Sequence, residues 1–292
     1  MKKILLPSLA AFALLATSCV DDHGYEENTV NIQVKSPAVV IPSSSTEEAY
    51  FINDYSIRYT QYTKDGKMSL VGLTPLTLPN GTTFNFSSPA TSVSGNQFTF
   101  IIEPLSFTTD NDITVQLRSR LTMQYYSYDP GTASTSVLNN APIALTVVKI
   151  GNSYTLKTLQ NVMSFAGTTT SLINGSNPYE NPNVLYELTP DYTNRKAQII
   201  IYNSKFAEAM PAIRVMRLTG LSFVPSASTG YVVSGENIVP EVLEGNNWIP
   251  NEKFVFNNFS LQPTNDNLSM ASISFKVATN FTGTCQGSYI VQ

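Results

Sequence analysis

The chain has 292 residues, a formal net charge of −4, one His, two Cys and 13 % charged residues. A globular domain is about 25 % charged, so Ser, Thr, Asn and Gln must make this surface polar. With 42 % hydrophobic residues, 15 Phe and 15 Tyr, the chain can bury a large core and is not of the disordered class. Its mildly acidic balance offers no basic face for phosphates, which disfavours a nucleic-acid partner.

Residues 1–18 read as a processing segment. Lys2 and Lys3 make a positive start, and the apolar stretch Ile4 to Ala16 is broken by Pro7 and Ser8. It is shorter than the roughly 20 residues that a spanning helix needs. Leu15-Ala16-Thr17-Ser18 then leads into Cys19. This run resembles a bacterial lipobox, which implies that Cys19 is the lipidated first residue of a mature chain anchored to a membrane; an ordinary signal peptide with a chance cysteine is the alternative. Residues 19–29 form an acidic, aperiodic tether. Cys19 followed by Asp21-Asp22 is similar to the surface-export signal of Bacteroidota lipoproteins. That resemblance implies an outer-membrane location facing the cell exterior.

From residue 30 the chain alternates. Tyr55-Ile57-Tyr59, Ile113 to Met123, Ala197-Ile199-Ile201 and Ala271-Ile273-Phe275-Val277 place apolar side chains at every second position, the period of a half-buried strand. In the Ile113–Met123 run, Arg118 and Arg120 face water and Ser119 interrupts the apolar side. Asp65-Gly66 and Asn80-Gly81 carry the hairpin-turn signature. Seventeen prolines leave little room for long helices, and the best helical candidate is the short Ser204 to Met210. The expected class is all-β and antiparallel.

The chain also echoes itself. Val34-Lys35-Ser36 and Ser43 to Thr46 lie alongside Leu156-Lys157-Thr158 and Gly167 to Thr170, and Tyr62-Thr63-Lys64 lies alongside Tyr192-Thr193-Asn194. Thr109 to Asp112 precedes an alternating strand, as does Thr264 to Asn267, and Asn174 to Asn181 reads as an inserted loop. These echoes predict two tandem β-barrel or β-sandwich units, 30–150 and 151–292, meeting at Ile150-Gly151-Asn152 with a ligand crevice at the junction. Tyr186-Glu187-Leu188, Lys196 to Tyr202, Lys205 to Pro211, Gly230-Tyr231 and Ile238-Val239-Pro240 resemble calycin-like, or lipocalin-like, lipoproteins of Bacteroidota. Neither unit has the lipocalin Gly-x-Trp near its start.

Residue arithmetic removes many chemistries. The one histidine, His23, lies in the tether, and Cys285 is the single cysteine left once Cys19 is acylated. No nucleophile–histidine pair and no zinc site follow from these, and no phosphate-cradling glycine motif occurs. Asp110-Asn111-Asp112 and Asn265-Asp266-Asn267 read as turns rather than calcium loops. Neither cofactor nor metal is expected. The reading that remains is a non-catalytic surface lipoprotein, which by resemblance implies glycan or nutrient capture beside an outer-membrane transporter. Tyr125, Tyr126 and Tyr128, with Trp248, are the candidate ligand contacts, since aromatic faces suit the apolar faces of sugars. The alternatives are a structural or adhesive subunit of fimbrial type, joined through strand edges, and a glycan hydrolase using two carboxylates.

Overall fold

The computed structural model describes residues 29–123, 125–129, 134–139, 142–210, 213–264 and 268–290. The first sheet contains β1 (Thr29–Pro42), β2 (Tyr50–Tyr62) and β3 (Met68–Gly72). A small hairpin, β4 (Leu76–Thr77) with β5 (Thr83–Phe84), separates these from β6 (Ser94–Asn96), β7 (Thr99–Thr108) and β8 (Thr114–Thr122). A two-stranded ribbon follows, β9 (Tyr125–Asp129) with β10 (Ser134–Asn139), before β11 (Ile143–Ile150) and β12 (Tyr154–Thr158) return to the first sheet. Its order is β3-β2-β1-β12-β11-β8-β7-β6. The sheet does not close through β6. Instead the segment 86–91 runs along the free edge of β3, with Gly72 N donating to Phe86 O and Met68 N to Thr91 O.

The second sheet contains β13 (Met163–Ile173), β14 (Ser176–Asp191), β15 (Lys196–Ser204), β16 (Ile213–Ser226) and β17 (Gly230–Gly235). After a protruding hairpin, β18 (Glu241–Glu244) with β19 (Asn247–Pro250), come β20 (Phe256–Pro263), β21 (Met270–Val277) and β22 (Phe281–Ile290). Its order is β15-β14-β13-β22-β21-β20-β17-β16, and β16 pairs back onto β15, so this sheet is a closed eight-stranded barrel. One walk around the register leaves β14 at Asp191 and returns to the same strand at Glu180, the stagger that tilts strands in a closed barrel. The chain is therefore all-β and antiparallel, a curled sheet followed by a barrel. Among the described residues the only helical turn is the three-residue 3-10 segment Glu252–Phe254.

Several expectations are corrected by this topology. The unit boundary is not at 150/151, because β11 and β12 pair as one hairpin within the first sheet, from Ile150↔Tyr154 to Val147↔Lys157. Gly151, at φ 55, is in that hairpin's turn, and the passage between units falls at 159–162. Val34-Lys35-Ser36 and Leu156-Lys157-Thr158 lie in β1 and β12, the first and last strands of one sheet, and these pair with each other. By position in the winding, β8 corresponds to β20, so Ile113–Met123 does not match 268–277. The inserted loop at Asn174–Asn181 is a tight turn at Asn174-Gly175 (φ 52 and 74) followed by the start of β14. Ser204 to Met210 forms turns rather than a helix.

Each sheet has its own core. In the barrel Phe165, Tyr186, Phe223, Tyr231, Phe256 and Phe259 are at most 1 % exposed and fill the interior. Tyr55, Ile57 and Tyr59 do the same for the first sheet, with Val115, Leu117 and Leu121 opposite. The alternating runs all point inward, because period-2 side chains on a curled sheet converge on its concave face. Ser119 is accommodated there by polar partners: Tyr59 Oη, Ser119 Oγ and Thr146 Oγ1 lie 2.7–2.8 Å from one another.

The two cores meet along β1. Its first half alternates, but from Ser36 to Pro42 every residue is buried. Ala38 and Val40 belong to the first core, whereas Val39 and Ile41 pack with the barrel's residues. A strand between two apolar bodies loses its polar side, so alternation disappears there.

Candidate binding surface on the outer wall of the barrel

In the barrel, the cavity beside Thr169, Tyr186 and Phe206 is about 10 Å³. Phe206 closes that end, its ring 5.5–6.2 Å from those of Phe254, Phe256, Phe275 and Phe281. Cys285 lies in the same interior, 3 % exposed, and burial pushes its thiol upward, away from the reactive thiolate. Tyr186 Oη and Thr169 Oγ1 are 2.7 Å apart, and burial holds the Tyr186 phenol well above its ordinary value. These are groups that stay neutral, as a filled core requires.

The outer wall is different. Outward-facing residues on consecutive strands form a file of hydroxyls: Ser222 on β16, Ser234 on β17, Ser260 on β20, Ser274 on β21, Thr284 on β22 and Thr170 on β13. Lys196 on β15 stands at one end of the file, opposite Ser222. Neighbouring strands are about 4.8 Å apart, so hydroxyls repeat at that interval around the wall. At Ser222, Ser234 and Ser260 the wall sinks into an open groove of about 460 Å³ that also includes Lys196, Glu236 and Asn258. Two glycines lie along it, Gly220 beside open space and Gly235 against the core. Gly220 adopts φ 72 in the bulge of β16, and a Cβ on Gly235 would strike Leu221 and Ile238.

Beside the groove, β16 carries the β18–β19 hairpin through Met216↔Val242 and Arg217↔Glu241. Arg217 sits between two partners. Its Nε and Nη2 each lie 2.7 Å from Glu241 Oε2, and its Cζ lies 4.3 Å from the centroid of the Trp248 ring. The ion pair holds the guanidinium and the guanidinium holds the indole, a cation–π arrangement. Trp248 stays partly exposed, and Leu243, paired with it, and Ile249 are exposed. Arg217 and Ser222 are on one strand, five residues or at most roughly 16 Å apart at about 3.3 Å per residue. The indole and the groove thus lie along one face.

Of the sequence candidates, Trp248 belongs to this surface. Tyr125, Tyr126 and Tyr128 do not join it: they lie on β9, which pairs only with β10 at Tyr126↔Val137 and Tyr128↔Thr135. Cys19, Asp21, Asp22 and His23 fall outside the described residues, as does Asn265-Asp266-Asn267. Asp110-Asn111-Asp112 is a turn, with Asp112 N donating to Thr109 O and Ile113 N to Thr109 Oγ1. The junction crevice is not at Ile150-Gly151-Asn152, which is hairpin. Arg217, Glu241 and the hydroxyl file were missed because strand alternation marks outward residues without marking which strands are neighbours. Among the described residues, no cluster of three or more His, Cys, Asp or Glu could hold a metal, and no helix is long and apolar enough to cross a membrane.

No protein-family model and no curated protein matches the chain. Among solved structures, a similar chain is a double mutant of the vaccine antigen transferrin binding protein B from Haemophilus parasuis Hp5. The match has a TM-score of 0.28 at 5 % identity, covers 91 % of this chain and 77 % of that one, and at that score carries no argument about function.

Proposed function

We propose that this chain is a non-catalytic lipoprotein of the outer-membrane surface, anchored through Cys19, that captures glycans as part of nutrient uptake. The observation that carries the reading is the contrast between a filled barrel interior and an outer wall bearing a polar groove next to an aromatic ring. A ligand must then be taken from outside. Hydroxyls repeating from strand to strand suit a polyhydroxylated chain lying across them, and the indole suits the apolar face of one sugar ring. The acidic tether after Cys19, with Asp21 and Asp22, supports display on the exterior. The adhesive alternative gains no support from strand donation. β1 is paired on both sides, by β2 and β12, and β22 by β21 and β13, each within its own sheet.

The test is affinity electrophoresis and calorimetry of the purified chain against dextran, xylan and mannan. Retardation by at least one of these is expected, with Trp248→Ala weakening it about tenfold, the equivalent of about 1.4 kcal/mol. Release of new reducing ends from a probe would replace the reading with an enzyme. Failure of all three glycans to bind, or binding insensitive to Trp248→Ala and to Ser234→Val alike, would remove this surface from the account.

A further inference from the structure

The loop between β1 and β2 faces two turns of the barrel across a crevice of about 380 Å³. The first unit contributes Glu47, Glu48 and Ala49, and the barrel contributes Arg195, Val224 and Pro225. Opposite charges thus line one crevice from its two sides. Yet among the described residues no ion pair within 4.0 Å joins Arg195 to either carboxylate.

Hydrogen bonds hold Glu47 and the backbone of the Arg195 turn. Glu47 Oε2 accepts a hydrogen bond from Tyr154 Oη at 3.0 Å, which ties the loop to β12. Arg195 has a left-handed φ of 52, and its carbonyl accepts from Phe223 N at 3.0 Å. The same turn is braced by Asp191, whose carboxylate accepts from Asn194 N and Nδ2 at 2.9 and 2.7 Å. Across the seam, Asn53 Nδ2 donates to Thr193 Oγ1 at 3.0 Å.

We propose that the crevice binds a short peptide with free termini. Its carboxylate meets the Arg195 guanidinium, whose planar fork matches a carboxylate. Its ammonium meets Glu47 and Glu48, and its side chains lie against Ala49, Val224 and Pro225. The volume is within the roughly 300–1,000 Å³ of small-ligand sites, enough for a di- or tripeptide and too small for a folded partner. A ligand with one charge would leave one wall unanswered. The site is separate from the outer groove and does not rest on the glycan reading.

The experiment is calorimetric titration of the full chain, purified in detergent, with trialanine and trileucine. Their N-acetylated and C-amidated forms serve as controls. Binding by a free tripeptide is expected, weakened about tenfold or more by capping either end, the size of one lost charge-assisted contact. Arg195→Gln should weaken the free peptide to the level of its amide and leave the amide unchanged. Glu48→Gln should act in the same way on the ammonium end. Trp248→Ala should leave peptide binding intact, so a failure of the glycan surface is read separately. No heat from either tripeptide, or equal binding of free and doubly capped forms, overturns the proposal. Thermal melts of the Arg195 and Glu48 variants that match the parent chain exclude misfolding as the cause.

Discussion

The ring of Phe51, from the first unit, stacks on the ring of Phe223, from the barrel, with centroids 4.8 Å apart and planes inclined by 7°. Tyr192 meets both rings edge-on at 5.3 Å, and its hydroxyl donates to Gln160 O at 2.6 Å in the passage between units. With Val39 and Ile41 entering the barrel's core from β1, the two units share buried surface.

That contact predicts shared stability. Phe51→Ala should destabilise the chain by about 3 kcal/mol, the low end for a phenylalanine truncation because Phe51 is only partly buried. Calorimetry of the parent chain should give one transition with equal calorimetric and van't Hoff enthalpies. Two separate transitions in the parent would mean that the seam does not couple the units.

The buried phenols predict loss of stability in alkali. Burial, outweighing the hydrogen bonds to Ser119 and Thr146, pushes Tyr59 up to about 12. Burial raises Tyr186 and Tyr231 in the same direction. In the unfolded chain these phenols ionise near 10. Their folded pKa is the higher one, so unfolding releases protons above pH 10 and stability falls as pH rises. Tyr59 alone should cost up to about 3 kcal/mol between pH 10 and 12. Tyrosinate absorbance should therefore rise in two stages, exposed phenols first and buried ones together with unfolding. A single early stage with the fold intact would contradict the burial of these rings.

Gly283 makes a packing prediction. The ring of Phe275 covers the position that a Cβ on Gly283 would take, and that ring is fixed by Phe206 and Phe256. Gly283→Ala should destabilise by about 1–3 kcal/mol through overpacking. The double variant with Phe275→Leu should lose less than the sum of the two single changes. Additive losses in chemical denaturation would show that the two sites do not press on each other.

The anchor is tested by fractionation. Cys19→Ala should move the protein from the detergent-extracted membrane fraction to the soluble one, and mass spectrometry of the parent should find at least two acyl chains on Cys19, since one holds only marginally. Replacing Asp21 and Asp22 together with Ala should leave acylation unchanged and reduce protease accessibility on intact cells. Unchanged accessibility would reduce the acidic pair to a spacer.

By itself the sequence determined the strand class and the inward face of four long strands, β2, β8, β15 and β21. Tyr55-Ile57-Tyr59 and Ala271 to Val277 encode their burial in alternation, a local property of an extended backbone. Tyr62-Thr63 and Tyr192-Thr193 lie at the turns after β2 and β14, which span six residues between Gln61 and Met68 and four between Asp191 and Lys196. Both sheets run in one order, as any antiparallel meander does, so the order alone does not separate a copied unit from a second meander. Tertiary structure decided the rest. Whether a meander closes depends on the register between strands distant in sequence, as when β13 meets β22 from Ser164↔Ile290 to Ile173↔Phe281. The double burial of β1 depends on a second body lying against it. The hydroxyl file, the Arg217–Trp248 stack and the Glu48–Arg195 crevice each join residues from separate strands or units. Residue order carries period and turn chemistry; which outward faces become neighbours is set only when the sheet curls.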